Sequence, residues 1–164
     1  MSYQISVLEV PTHGTSLKCV HSALKQQVTK FGEVISVHAI EDVQSQQPWD
    51  KLNKANLVMF VFEAKEQPYK QMKAFLQKID ETLFKNKMIL PVIIGGTSAH
   101  VSIIEYSLKP LLANWKATSL IPTIYLMEES ESYRYYCERK ESKQEIELYI
   151  FEVLKKHIPI TYYI

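Results

Sequence analysis

The chain has 164 residues, of which 19 are lysine or arginine and 18 are aspartate or glutamate, so its formal net charge is +1. This length predicts a single domain, residues 1–164, that can bury a real core. The near-zero charge gives no support for a nucleic-acid or anionic-membrane partner, and no apolar run reaches the roughly 18 residues needed to span a bilayer.

The N-terminal segment and the cysteines predict an ordinary intracellular protein. The N-terminal MSYQISVLEV has no basic start and no small-residue cleavage site, so we expect no signal peptide. Cys19 and Cys137 show neither a metal-ligand nor a redox spacing. We therefore predict two reduced thiols, a cytoplasmic location and no metal site.

Strand and helix patterns alternate in the first part of the chain. An apolar run predicts a first strand at residues 5–10, and a polar segment with Pro48 and Trp49 at 42–53 predicts a loop with at most one short helix. Residues 33–40 read as the second strand. Between the two strands, apolar residues at helical spacing predict a helix that ends at Gly32: Leu17, Val20, Leu24, Val28 and Phe31.

The second part continues the alternation. Residues 55–62 are almost wholly apolar, as in a strand buried on both faces, and Pro68 opens a helix that extends to residue 84. The apolar run 88–94 predicts the fourth strand, although Pro91 argues against a central strand because proline lacks a backbone donor. Two glycines end this run and a helix follows over residues 98–115.

The last elements are a strand and a helix. Residues 119–127 predict a fifth strand, and the charged, tyrosine-rich segment 128–140 predicts an exposed excursion. Ser142 with Glu145 has the spacing of a capping box, so the final helix is expected to begin there and to be followed by a tail from residue 158.

Five strand–helix repeats predict an α/β fold, a three-layer sandwich with helices on both faces of a parallel sheet. For this length, the flavodoxin-like order 2-1-3-4-5 of a five-stranded sheet fits best. Ligands of such sheets bind beyond the carboxyl ends of the strands. The predicted site therefore lies where three loops meet: 10–16, 63–69 and 95–100.

One segment also carries a family resemblance. The string from Leu90 to Pro110, LPVIIGGTSAHVSIIEYSLKP, resembles the NADPH-dependent FMN reductases that support alkanesulfonate use. The resemblance implies a hydride transfer from a nicotinamide to the N5 atom of FMN, with NADPH as donor. It also implies that the cofactor carries the chemistry, so that no catalytic side chain is expected.

The third loop is the best-preserved part of the predicted flavin site. Gly95, Gly96 and Thr97 are expected to place backbone amides against the polar edge of the flavin ring. The alternative is a tight strand-to-helix turn that needs glycine for its geometry alone. His100 is expected to be structural, because the positive end of a helix dipole disfavours its charged form.

The first loop is expected to hold the phosphate of FMN. Thr12, Thr15 and Ser16 offer hydroxyl groups at a helix start, and Gly14 allows a close backbone approach. The family's loop is glycine-serine-x-arginine, and the matching positions here are Glu9 to Thr12. Glycine and arginine are thus both absent, and a glutamate stands beside the expected phosphate, so an ordinary capped loop remains the alternative.

The second loop, residues 63–69, lacks the family's glycines. Tyr69 is the candidate for stacking on the flavin ring, and packing within the fold is the alternative. The resemblance further matches Tyr106 to an inserted interface tyrosine that widens its helix into a π-bulge, which implies a homodimer or homotetramer. A flavin-dependent monooxygenase is implied as a possible recipient of reduced FMN.

Two other functions remain open at this point. A non-enzymatic relative with the same fold that has lost flavin binding and acts as an interaction or structural protein fits the altered first and second loops. A flavodoxin-type electron carrier fits less well, because flavodoxins are usually strongly acidic and this chain is nearly neutral.

Overall fold

The computed structural model describes residues 4–10, 15–40, 50–64, 66–78, 81–95, 98–113, 119–120, 124–126 and 140–158. Strands and helices alternate through these residues as the hydrophobic patterns predict. The strands are β1 (Gln4–Glu9), β2 (Glu33–Ala39), β3 (Leu57–Glu63), β4 (Met88–Ile94), β5 (Ser119–Leu120) and β6 (Ile124–Leu126). The helices are α1 (Thr15–Val28), α2 (Asp50–Lys54), α3 (Glu66–Lys78), α4 (Ser98–Ala113) and α5 (Lys140–His157), with a 3-10 helix at Glu81–Phe84.

The four long strands form a parallel sheet in the order β2-β1-β3-β4. This confirms the predicted α/β class and the position of strand β1 between β2 and β3. Because every strand runs in the same direction, the carboxyl ends of β1, β3 and β4 lie at one edge of the sheet. That edge is where a sheet of this topology places its ligand site.

The predicted fifth strand differs from the expectation of one continuous element. Two short segments take its place, and both pair with β4 in the parallel sense: β5 with Met88–Ile89 and β6 with Val92–Ile94. Pro91 lies in the stretch of β4 between these two pairings, and on the other side it is aligned with Phe60 of β3. Because proline has no N–H to donate, it weakens the ladder at this point, yet β4 remains a central strand.

The sheet has one apolar cluster on each face. On β3, Met59 and Val61 belong to the cluster under α1 and α5, whereas Phe60 and Phe62 belong to the cluster under α3 and α4. This alternation follows from the two-residue period of a strand. It explains why all seven residues of β3 are buried, and it confirms the prediction of a strand covered on both sides.

The capping box predicted for the last helix is wrong. Helix α5 already begins at Lys140, so Ser142 lies within its first turn and not at the residue before it. The helix packs on α1. Its Phe151 ring lies 5.2 Å, between centroids, from the ring of Phe31, which follows α1 by three positions. Lys30 lies over the ring of Phe151 as well, with its Nζ atom 5.8 Å from the centroid. The predicted excursion at 128–140 lies almost wholly outside the described residues, as does the tail beyond Ile158.

At the opposite edge of the sheet from the predicted site, a buried lysine joins α2 to β4. The ammonium group of Lys87 donates to the carbonyl oxygens of Asn53, at 2.6 Å, and Ala55, at 2.8 Å. Only 6% of Lys87 is exposed, and desolvation by burial lowers the pKa of its ammonium group. A cation at the carboxyl end of a helix also matches the helix dipole.

Candidate functional site

Backbone hydrogen bonds join the starts of the three predicted loops at the carboxyl edge of the sheet. The Val10 N–H donates to the Val61 carbonyl oxygen at 3.0 Å, so the first loop starts beside the end of β3. The Ala64 N–H donates to the Ile94 carbonyl oxygen at 2.9 Å, which joins the starts of the second and third loops. The first residues of the three loops therefore lie side by side, as the strand order predicts.

The third loop starts with a glycine in a conformation that favours glycine. Gly95 is buried and has a φ of 77°, which lies in the left-handed region. A residue with a Cβ atom is generally strained there, so glycine is favoured at the end of β4. Gly96 and Thr97 lie outside the described residues, and α4 begins directly after them at Ser98. His100 falls in the first turn of that helix, as predicted, but its side chain is outside the described part.

The first loop ends at the amino end of α1, as the sequence predicts. Thr12 and Gly14 lie outside the described residues, and Thr15 and Ser16 form the first positions of the helix. The description of these two residues covers their backbone alone. The amino end of a helix presents N–H groups and a positive dipole end, so its place at this edge of the sheet fits an anionic group.

Tyr69 lies in the first turns of α3 and is half-buried. Its ring packs against the cluster that includes Phe60 and Phe62, and the Nζ atom of Lys73 lies over the ring, 5.9 Å from the centroid. These contacts support the packing alternative given above. Stacking of Tyr69 on a flavin remains a prediction.

Glu9 does not lie beside the expected phosphate, as its match to the family's first-loop pattern suggests. Its carboxylate lies on the α1 face of the sheet, with its Oε1 atom 4.0 Å from the Nζ atom of Lys25. It lines a small, mainly apolar cavity between α1 and strands β1 to β3, together with Val7, Leu24, Val28, Val34, Met59 and Val61. Lys25 lies ten positions after the first residue of α1. The Glu9 carboxylate is therefore close to a later turn of the helix and not to its amino end, where the phosphate is expected.

The structure shows a buried acidic residue at this edge of the sheet that the sequence reasoning did not single out. Glu63 is the last residue of β3, its Cα partner on β4 is Ile94, and only 6% of it is exposed. In the sequence it looks like the first charge of a polar loop. The two-residue period of β3, extended by one position, is the signal that places it on the sheet instead.

Tyr106 is the most exposed large apolar residue among those described, with 86% of its surface accessible on the isolated chain. It is on α4, which is α-helical from Ser98 to Ala113, so the widened turn implied by the resemblance is not found here. Pro110 follows one turn later and lacks the N–H that the Tyr106 carbonyl group would otherwise accept. This exposure is compatible with the interface that we predict.

Two further features bear on the predicted chemistry. Among the described residues, no group of three or more histidine, cysteine, aspartate or glutamate side chains is arranged to hold a metal ion. Within the same part of the chain, no helix is both long enough and apolar enough to cross a membrane. The side chains of Cys19 and Cys137 are not among the described ones.

Sequence comparison finds relatives of one kind. No family model matches the chain. A 54-residue segment, 33% of this chain and 28% of the relative, is 33% identical to an FMN reductase (NADPH) of Escherichia coli. A 62-residue segment, 38% of this chain and 32% of the relative, is 31% identical to an FMN reductase (NADPH) of Pseudomonas putida. The matched segments thus span about a third of each relative.

Structural comparison extends over nearly the whole chain. An NADH:FMN oxidoreductase in its apo form superposes with a TM-score of 0.65 at 16% identity, covering 94% of this chain and 90% of that one. An NAD(P)H:quinone oxidoreductase from Methanothermobacter marburgensis gives 0.63 at 10% identity, with 96% and 98% covered. An oxidised flavodoxin from Bacillus cereus gives 0.60 at 12% identity, with 95% and 99% covered.

At these low identities the structural matches establish the fold, and the two curated relatives supply the sequence evidence. The chain therefore has the flavodoxin-like fold, and its resemblance to the NADPH-dependent FMN reductases is confirmed over about a third of its length.

Proposed function

We propose that this chain is an NAD(P)H-dependent FMN reductase-like flavoprotein that transfers a hydride from a nicotinamide to loosely bound FMN. The observation that carries the proposal is the buried Gly95 turn, with a φ of 77°, at the point where the ends of β3 and β4 are joined. We take FMN as the cofactor and NADPH as the hydride donor, since the two curated relatives are named FMN reductase (NADPH).

The third loop recognises the ring of the flavin in this proposal. Gly95 has no side chain to keep a planar ring away from the backbone, and α4 begins three positions later, at Ser98, with the N–H groups of a helix start. Donors fixed in this way bind the polar edge of the ring and stabilise negative charge on it. FMN supplies the hydride-accepting chemistry when it is bound, so the chain needs to bind, orient and exclude water.

The first loop recognises the phosphate in this proposal, through Thr12, Gly14, Thr15 and Ser16. Hydroxyl groups, the backbone and the amino end of α1 are the donors available. The family's arginine is absent, and hydrogen bonds that involve a charged group are about twice as strong as neutral ones. FMN is therefore expected to be held loosely, as an exchangeable substrate.

The assembly and the location belong to the same proposal. We expect a homodimer or homotetramer formed through α4 and α3, with Tyr106 in the interface, because an aromatic residue with 86% exposure contributes a large apolar area when a partner covers it. A cytoplasmic protein of this kind can pass reduced FMN to a flavin-dependent monooxygenase.

The alternative is a relative with this fold that has lost flavin binding and serves as an interaction or structural protein. The packing of Tyr69 against the core under α3 favours it, because the second loop then offers no aromatic residue to the ring. The absorbance of the purified protein before and after addition of FMN separates the two functions. A flavoprotein shows a perturbed flavin spectrum, and a flavin-free relative shows none.

Calorimetric titration of FMN into the wild type and into Thr12→Arg tests the proposal more sharply. The arginine restores one charge-assisted bond, worth about 1.5–3 kcal/mol, so we expect FMN affinity to rise roughly ten- to a hundredfold. Thr29→Arg, at the exposed end of α1 remote from the loop, is the matched control and should leave the affinity unchanged. Nanomolar binding by the wild type contradicts a loose site, and binding by none of the three proteins contradicts the proposed function.

A further inference from the structure

Helix α3 leaves the sheet beside the Gly95 turn and carries a net positive charge. The Ala64 N–H donates to the Ile94 carbonyl oxygen at 2.9 Å, so the end of β3 is tied to the residue that precedes Gly95. Helix α3 begins two positions after Ala64, at Glu66, and its 13 residues contain three lysines and one glutamate. The proposed site therefore has a cationic helix at its border.

The ammonium group of Lys73, on this helix, is held by an aromatic ring. Its Nζ atom lies over the ring of Tyr69, 5.9 Å from the centroid. Tyr69 is half-buried and packs against the cluster under α3 and α4, so the ring itself is fixed by the core. An ammonium group has three N–H donors, and a contact with the face of a ring does not use all of them. The geometry thus fixes the position of a cation that can still donate to an anion.

Lys73 lies two turns along α3, away from the place expected for the flavin ring. It is seven positions after the first residue of the helix, which is about 10 Å along the axis. Its side chain reaches back to Tyr69, one turn nearer to the carboxyl edge. A nicotinamide that stacks on the flavin lies at that edge, and the adenosine end of the dinucleotide extends away from it. Lys73 is therefore better placed for the adenosine end than for the reacting rings.

An anion at Lys73 is distinct from the phosphate of FMN. That phosphate is expected at the start of α1, which covers one face of the sheet, whereas α3 covers the other. Lys70 adds a second positive charge near Lys73, because residues three positions apart are neighbours on the surface of a helix. Lysine is a common binder of phosphate groups. A second phosphate group, on the α3 side of the site, fits these charges.

We propose that Lys73 is a specificity-determining residue that binds the 2′-phosphate of NADPH, so that the chain prefers NADPH over NADH. The inference rests on the proposed function in taking a nicotinamide dinucleotide as the hydride donor. The 2′-phosphate is at the adenosine end, and it is the group that NADPH has and NADH lacks. A phosphate monoester carries a charge of about −1.5 to −2 at neutral pH, so its hydrogen bonds to an ammonium group are charge-assisted.

Steady-state kinetics with NADPH and with NADH, at saturating FMN, test the proposal. The wild type is expected to have a kcat/KM at least about tenfold higher for NADPH, and Lys73→Met should lower this ratio about tenfold by removing a charged donor. Lys73→Arg keeps the charge and the contact with Tyr69 and should retain most of the preference. Lys78→Met is the matched control, because Lys78 is exposed at the other end of the same helix, and it should leave the ratio as in the wild type.

Three kinetic results overturn the inference. One is a wild type that uses NADH as well as NADPH, which can be measured even if Lys73→Met does not fold. Another is an equal loss of kcat/KM for both dinucleotides in Lys73→Met, which indicates a contact with a part that they share, such as the pyrophosphate. The third is an unchanged ratio in a Lys73→Met protein that melts as the wild type does.

Calorimetric titration with 2′,5′-ADP and with 5′-AMP separates this inference from the proposed function, because neither probe contains a flavin or a nicotinamide. The wild type is expected to bind 2′,5′-ADP about tenfold more tightly than 5′-AMP, and Lys73→Met should bind the two alike. Equal affinities in the wild type, or no binding of 2′,5′-ADP, overturn the role of Lys73. Failure of the wild type to bind FMN overturns the proposed function, whereas the two adenosine phosphates still decide the role of Lys73.

Discussion

Replacement of Lys87 by methionine is expected to destabilise the fold without touching the candidate site. Methionine keeps most of the apolar stem but removes the ammonium group that donates to Asn53 and Ala55 at 2.6 and 2.8 Å. Two hydrogen bonds from a charged donor are lost and two carbonyl groups at the end of α2 lose a donor. The expected loss in the free energy of unfolding is about 2–4 kcal/mol.

Urea unfolding measures this loss directly. With a slope of about 2 kcal/mol per molar for a domain of this size, the midpoint should fall by roughly 1–2 M. Lys85→Met is the matched control, because Lys85 is exposed two positions earlier in the same turn, and it should change stability by less than about 0.5 kcal/mol. Equal effects of the two substitutions would refute the reasoning.

The pH dependence gives a second check on Lys87. Burial lowers the pKa of its ammonium group from the usual 10.5, so between the folded and unfolded pKa values the unfolded chain binds more protons. The stability of the wild type therefore rises with pH in that window, relative to Lys87→Met. The difference in unfolding free energy between the two proteins should be larger at pH 10.5 than at pH 7, and a difference that shrinks contradicts the assignment.

Two other predictions concern the proposed site and the assembly. Gly95→Ala places a Cβ atom at a buried position with a φ of 77°, so we expect a loss of about 1–2 kcal/mol in urea unfolding and at least a tenfold loss of FMN affinity by titration; unchanged binding would exclude the turn from the site. Tyr106→Glu should lower the molar mass measured by light scattering to that of a monomer. The variant should still melt cooperatively, which shows that it is folded. A wild type that is already monomeric contradicts the interface.

The regular part of the fold could be predicted because each element carries its own period. Strand β4 was predicted over Met88–Ile94 and is found over that range, since the apolar run and the glycines after it both mark its ends. Helix α1 was predicted from its apolar stripe, and it is found from Thr15 to Val28. The alternation predicted a parallel sheet, and the order of its long strands was predicted from the flavodoxin-like arrangement that fits a chain of this length.

The features that could not be predicted depend on contacts between distant residues. Lys87 looks like a solvated charge before a strand, because the carbonyl groups that it contacts are more than thirty positions earlier. Glu9 was expected beside the phosphate because it aligns with the glycine that opens the family's loop, whereas its carboxylate lies 4.0 Å from the Nζ atom of Lys25. Ser142 and Glu145 have the spacing of a capping box, but the helix starts at Lys140, so both residues lie inside it.

The position of Pro91 has a consequence for how the sheet comes apart. Strand β4 is paired with β5 before Pro91 and with β6 after it, so its outer side consists of two short ladders with a gap between them. Because Pro91 has no N–H, it offers no backbone donor between the two ladders. The Gly95 turn directly follows the residues that pair with β6, and we therefore expect opening of the β5 ladder to disturb that turn less than opening of the β6 ladder.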